Sequence, residues 1–83
     1  MINLVRDAGM TLSLFFLSLF RNQNSVVRWT HKDQTITSDG SQSVSVLSNG
    51  MLRIKHVTKQ ENGMYFCTVG PQKAVFGISV KGN

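Results

Sequence analysis

Residues 52–67 read LRIKHVTKQENGMYFC, and the fold turns on how this stretch is parsed. From Met51 to Val57 the apolar residues alternate, with Leu52 and Ile54 on one face and Arg53 and Lys55 on the other. A period of two is the mark of a half-buried strand. Residues Lys59 to Asn62 are polar and cross over. A second strand follows from Gly63 to Val69, with Tyr65 and Cys67 on one face and Met64, Phe66 and Thr68 on the other.

The same grammar extends in both directions. Ser48-Asn49-Gly50 reads as a hairpin turn, because Asn-Gly tolerates the positive φ of a type I′ turn. It joins the Met51 strand to an earlier one, Ser43 to Leu47. Downstream, Gly70-Pro71-Gln72-Lys73 reads as a turn before a last strand, Val75 to Lys81. Upstream, Ser25 to His31 is β-prone, with Val27 and Trp29 on one face and Val26, Arg28 and Thr30 on the other. Lys32-Asp33 turns the chain into a short edge strand, Gln34 to Thr37, and Ser38-Asp39-Gly40 reads as a loop. No helical period is sustained. Short strands at regular spacing with turn signals between them describe an all-β sandwich or barrel.

Composition bounds the answer. Eighty-three residues make one small domain, and 41 % hydrophobic with 16 % charged residues is ordinary for a folded chain. A single cysteine excludes an internal disulfide. The net charge of +5 comes from Arg6, Arg21, Arg28, Lys32, Arg53, Lys55, Lys59, Lys73 and Lys81, spread along the chain against four acids. There is no basic run and no interleaving of bases with aromatics, so nucleic acid is not an expected partner. No stretch reaches the roughly 18 apolar residues of a membrane span, so membrane association is expected only through a segment outside this chain.

The apolar segment Met10 to Phe20 (MTLSLFFLSLF) has two readings. It has the length of a secretory signal core, but Asp7 offsets Arg6, Arg21 follows directly, and no A-x-A-like site appears. It also opens with strand alternation, Leu12, Leu14 and Phe16 facing one way and Thr11 and Ser13 the other, after the turn signal of Gly9. On the strand reading residues 1–8 are an N-terminal segment and residues 9–83 the domain.

Little chemistry is encoded. His31, His56 and Cys67 supply at most three metal ligands, none at finger or H-x-x-x-H spacing, so no metal is expected. No phosphate loop, nucleophile elbow or G-x-G-x-x-G occurs, and no cofactor is expected. No N-x-S/T sequon is present.

The pattern Leu52-x-Ile54-x-x-Val57-x-x-x-Glu61-x-Gly63-x-Tyr65-x-Cys67 resembles the L-x-I-x-x-V-x-x-x-D-x-G-x-Y-x-C signature of immunoglobulin domains. The resemblance implies an all-β, immunoglobulin-like β-sandwich of two antiparallel sheets with Greek-key connections. It implies a tyrosine corner at Tyr65, whose hydroxyl ties back to backbone, and a bend freed by Gly63. Trp29 resembles the tryptophan that packs on the inter-sheet bridge of the family. The 38 residues from Trp29 to Cys67 resemble an I-set or short variable-like domain. Gly9-x-x-Leu12-x-Leu14-x-Phe16 matches the spacing around the first bridge cysteine, with Phe16 in its place. The implied core is Phe16, Trp29, Leu52, Ile54, Tyr65 and Cys67, with Phe16 packed on Cys67 and Trp29. Losing a bridge costs about 2–5 kcal/mol in a small secreted domain, and burying a Phe returns roughly 1.5–3 kcal/mol. A thiol in that core is inert, which sets aside a Cys67/His56 nucleophile pair.

Function is implied at the same level. Such domains are non-catalytic protein-binding modules of receptors and adhesion proteins, extracellular or at the cell surface. The alternatives are a cytoplasmic structural module of a filament protein, which suits a single cysteine, and a truncated fragment without its own function. The expected contact residues are Val26, Arg28, Met64, Phe66 and Thr68 on an outward sheet face, and Lys73 at the tip of the Gly70–Ala74 loop. The expected partner is a protein, homophilic contact included.

Overall fold

The computed structural model describes residues 1–15, 26–37, 43–48 and 50–82. Its strands are β1 (Ile2–Asp7), β2 (Leu12–Leu14), β3 (Val27–His31), β4 (Gln34–Ile36), β5 (Val44–Val46), β6 (Leu52–Ile54), β7 (Gly63–Val69) and β8 (Gln72–Lys81). A short 3-10 turn, η1 (Lys59–Glu61), lies between β6 and β7. The strands form a five-stranded sheet in the order β1-β8-β7-β3-β4 and a three-stranded sheet in the order β2-β6-β5. The chain passes from one sheet to the other at β1–β2, β2–β3, β4–β5 and β6–β7. Two layers crossed in this way are the β-sandwich that the immunoglobulin resemblance implies, where the strand pattern alone left a sandwich or a barrel.

Alternation sets what each layer buries. The small sheet turns Leu12, Leu14, Leu52 and Ile54 inward, and the large sheet turns Trp29, Tyr65, Cys67, Val69, Phe76, Ile78 and Val80 against them. Val57, just past β6, is fully buried between. Each such side chain contributes about 1.5–3 kcal/mol by leaving water. The Trp29 ring lies 5.6 Å from Phe76, tilted by 39°. Its indole Nε1 donates a 2.8 Å bond to the Gly50 carbonyl in the β5–β6 connection, so one side chain ties the two layers together. The expectation that Phe16 packs on Cys67 and Trp29 concerns a position outside the described residues.

The structure differs from the sequence reading chiefly at the first strand, at the start of the last strand and at the crossover, and β6 is confined to Leu52–Ile54 within the expected Met51–Val57. Residues 1–8, expected to lie outside the domain, supply the edge strand of the large sheet: β1 pairs in parallel with β8 from Ile2↔Phe76 to Asp7↔Lys81. Among the described residues it is the parallel exception to otherwise antiparallel pairings. Gln72 and Lys73, expected in a turn, open β8 instead. The turn is only Gly70-Pro71, because Val69↔Gln72 already closes the ladder. The crossover at Lys59–Asn62 is ordered as η1, held by a capping box. The Thr58 hydroxyl accepts from Gln60 N–H, and the Glu61 carboxylate accepts from Thr58 N–H at 2.7 Å.

Candidate functional site: the outward face of the large sheet

The strand period that buries Tyr65 and Cys67 forces their neighbours outward. Across β3, β7 and β8 the outward residues line up in rows. Arg28 stands opposite Thr68, and Thr68 opposite Lys73. One row on, Thr30 stands opposite Phe66, and Phe66 opposite Val75. Beyond these, Met64 pairs with Gly77. Asn3 and Met1 fold over Gly77: a Cβ added there would come within 2.6 Å of Asn3 Oδ1.

The expected contact residues are brought together unevenly. Arg28 and Lys73 are exposed, while Phe66 and Thr68 are half-buried among their neighbours. Lys73 is in strand β8 rather than at a loop tip, and its Nζ stands 4.5 Å from the centre of the Phe66 ring. That cation–π contact fixes the ammonium over the face. Met64 is 46 % exposed, two positions along β7. Val26 is 71 % exposed but precedes β3 and does not join the rows. Thr30 and Val75 were not among the expected residues. Thr30 shares the parity of Arg28, which was the available signal. The partnering of Val75 with Phe66 depends on the β7–β8 register, which no local pattern carries.

The remaining chemistry-bearing side chains serve the fold. The His31 ring stacks flat on Tyr65 with centroids 3.8 Å apart, and its Nδ1 donates to the Met64 carbonyl at 3.0 Å. His31 Nε2 is buried and has no hydrogen-bond partner among the described residues. The Tyr65 hydroxyl donates to the Glu61 carbonyl at 2.8 Å, the tie-back expected of a tyrosine corner. Burial first, and then the Glu61 carboxylate, push the Tyr65 phenol well above its ordinary range. Gly63 has φ +124°, a conformation side chains rarely adopt, and His31 Cε1 would lie 3.2 Å from an added Cβ. Glu61, where the immunoglobulin signature has Asp, spans back to Thr58 N–H and so closes the capping box. Cys67 is fully buried. Among the described residues no group of His, Cys, Asp and Glu side chains could hold a metal ion. No helix among them is long and apolar enough to cross a membrane.

An open cleft of about 710 Å³ lies at one end of the sandwich, lined by Asp7, Gly9, His56, Val57, Thr58 and Lys81.

Comparison with known proteins agrees with this architecture. The chain is similar to a tandem from titin, with 20 % identity over 95 % of this chain and 30 % of that one, at a TM-score of 0.80. It is similar to the immunoglobulin domains of Sidekick-1, with 16 % identity over 95 % of this chain and 18 % of that one, TM-score 0.77. It also resembles a chain of the titin complex with an obscurin-like 1 immunoglobulin domain, with 18 % identity over 95 % of this chain and 85 % of that one, TM-score 0.72. The chain thus spans less than a third of the length of the first two. No curated protein matches the sequence. The family model of the immunoglobulin I-set domain matches residues 7–81, and the chain belongs to that family.

Proposed function

We propose that the chain is a non-catalytic protein-binding module that meets its partner through the outward face of the large sheet, with Arg28, Met64, Phe66, Thr68 and Lys73 as contacts and Val26 at the margin. The observation that carries this reading is the in-register row of Arg28, Thr68 and Lys73 beside Thr30, Phe66 and Val75. A partly apolar patch with Phe, Met and Arg has the composition of an interface core rather than of ordinary surface. A structure similar to this one comes from a complex with a protein partner, titin with obscurin-like 1. A photo-crosslinking residue at position 68 should give a discrete protein adduct in cells, while one at position 55, just past the end of β6, should not. Equal adducts from both positions would overturn the proposal.

The placement we favour is a receptor or adhesion protein at the cell surface. A second reading, an intracellular structural module, is supported by Cys67 as the one cysteine of the chain, by its burial, and by the likeness to titin. Labelling of intact cells with a membrane-impermeant amine reagent separates them: modification of this chain supports the first reading, and protection until the cells are lysed supports the second. The burial of Leu12 and Leu14 in the core supports reading residues 12–14 as part of the domain on either placement. A mature start after residue 20 would remove β2 and sink the domain as described.

A further inference from the structure

The outward face carries its charge unevenly along the strands. At about 4.8 Å between neighbouring strands, Arg28 and Lys73 stand roughly 10 Å apart with the Thr68 hydroxyl between them. Neither this row nor the Thr30–Phe66–Val75 row holds an acidic residue. The acids of the described residues lie elsewhere. Asp7 ends β1 opposite Lys81, Asp33 is in the β3–β4 turn, and Glu61 is in η1. All three belong to the end of the large sheet where β7 begins and β8 finishes. From Lys73 to Lys81 is roughly 27 Å of strand, beyond the screening length of about 8 Å at physiological salt. That end also holds Lys32, Lys59 and Lys81 and is mixed in sign. Within the described large sheet, the Arg28–Lys73 end is cationic alone.

Resting on the binding-face reading above, we infer that the partner surface is an acidic protein segment. Its carboxylates meet Arg28, Thr68 and Lys73, and an apolar side chain beside them settles against Val75 and Met64. Charge complementarity selects this occupant. A second copy brings like charge to like charge, at a net +5 per chain. A nucleic acid finds only two cations here, and the Phe66 ring on which a base would stack is already covered by Lys73.

The test is a titration of the isotope-labelled chain followed by backbone amide shifts, with an alternating Glu–Leu peptide as the probe. Controls are the matching Gln–Leu peptide, oligothymidylate, and a dilution series of the protein alone. Shifts from the acidic peptide are expected on the Arg28, Thr68 and Lys73 row and on Phe66 and Val75. The double variant Arg28→Gln/Lys73→Gln should weaken binding roughly tenfold or more, and Lys55→Gln/Lys59→Gln should leave it unchanged. Both pairs are surface residues, and retained amide dispersion reports that each variant is folded. If the Gln–Leu peptide binds the same rows equally well, the acidic partner is overturned while the binding face stands. Shifts centred on the mixed-charge end, tighter binding of oligothymidylate to these rows, or dilution-dependent shifts on them would each overturn the inference. If no probe moves the face, the binding-face reading falls with it.

Discussion

The two sheets of this sandwich are held by different forces. In the large sheet β7 and β8 pair over seven positions and β1 and β8 over six, so backbone ladders give it a frame of its own. In the small sheet each pairing spans three positions. A three-residue ladder is too short to persist alone in water. The small sheet exists because Leu12, Leu14, Leu52 and Ile54 have an apolar layer to cover. Further bonds pin it, among them Trp29 Nε1 to the Gly50 carbonyl, Gly9 N–H to the Val57 carbonyl, Val57 N–H to the Met10 carbonyl and Lys55 N–H to the Ser43 carbonyl. A sheet that supports itself can devote its outer face to recognition, whereas a sheet held on by its inner face has every inward residue committed to stability.

Substitutions can break or sharpen this contrast. The largest effect is expected from Leu52→Ala, which opens a cavity under the small sheet and costs about 2–5 kcal/mol. Thr68→Ala, on the outer face of the large sheet, should stay within about 0.5 kcal/mol. Denaturant unfolding measures both, and comparable losses would contradict the contrast. Trp29→Phe keeps most of the apolar burial but orphans the Gly50 carbonyl, at a cost of about 1–3 kcal/mol. Hydrogen exchange should then quicken at Val44–Val46 and Leu52–Ile54 before it does in β7.

Tyr65→Phe removes the bond to the Glu61 carbonyl and should cost about 0.5–1.5 kcal/mol at neutral pH. It should also change the alkaline limb. The folded chain holds the Tyr65 proton above the pH at which the unfolded chain releases it, near 10.0. Stability from this group is therefore whole below that pH and falls as pH rises beyond it, by about 1.4 kcal/mol per pH unit. The variant should lack that slope. A gain rather than a loss is expected at the β3–β4 turn, where Lys32 and Asp33 adopt φ of 53° and 62°. Such angles in both central residues make a type I′ turn that favours Asn-Gly. Replacing Lys32 by Asn and Asp33 by Gly should stabilise the protein by about 1 kcal/mol, visible as a raised melting midpoint.

What the sequence made legible follows from how local each signal is. Strand β7 is readable at its true bounds, because Tyr65, Cys67 and Val69 alternate between Gly63 and Gly70. The tyrosine corner is readable because its parts lie within five residues. Strand β1 is not: Ile2 and Val5 are exposed, and Leu4 is ordered by a ladder to residues more than seventy positions away. The start of β8 was hidden because Gln72 and Lys73 look like turn residues until their register with Val69 and Thr68 is known. The capping box Thr58-x-x-Glu61 is local in sequence, but the crossover carries no helical period that would mark it as a helix start. In the candidate site, alternation exposed Arg28, Phe66 and Thr68, while Lys73 joined them only through pairing.

The parallel pairing of β1 with β8 has a mechanical consequence. Ile2 opens β1 opposite Phe76, and Lys81 ends β8 opposite Asp7. Tension between residues 2 and 81 would therefore slide the two strands lengthwise past each other, and every rung between them would carry load together. Antiparallel strands pulled from their open end unzip rung by rung instead. The first strand of this protein is thus set where it resists stretching far better than it resists peeling.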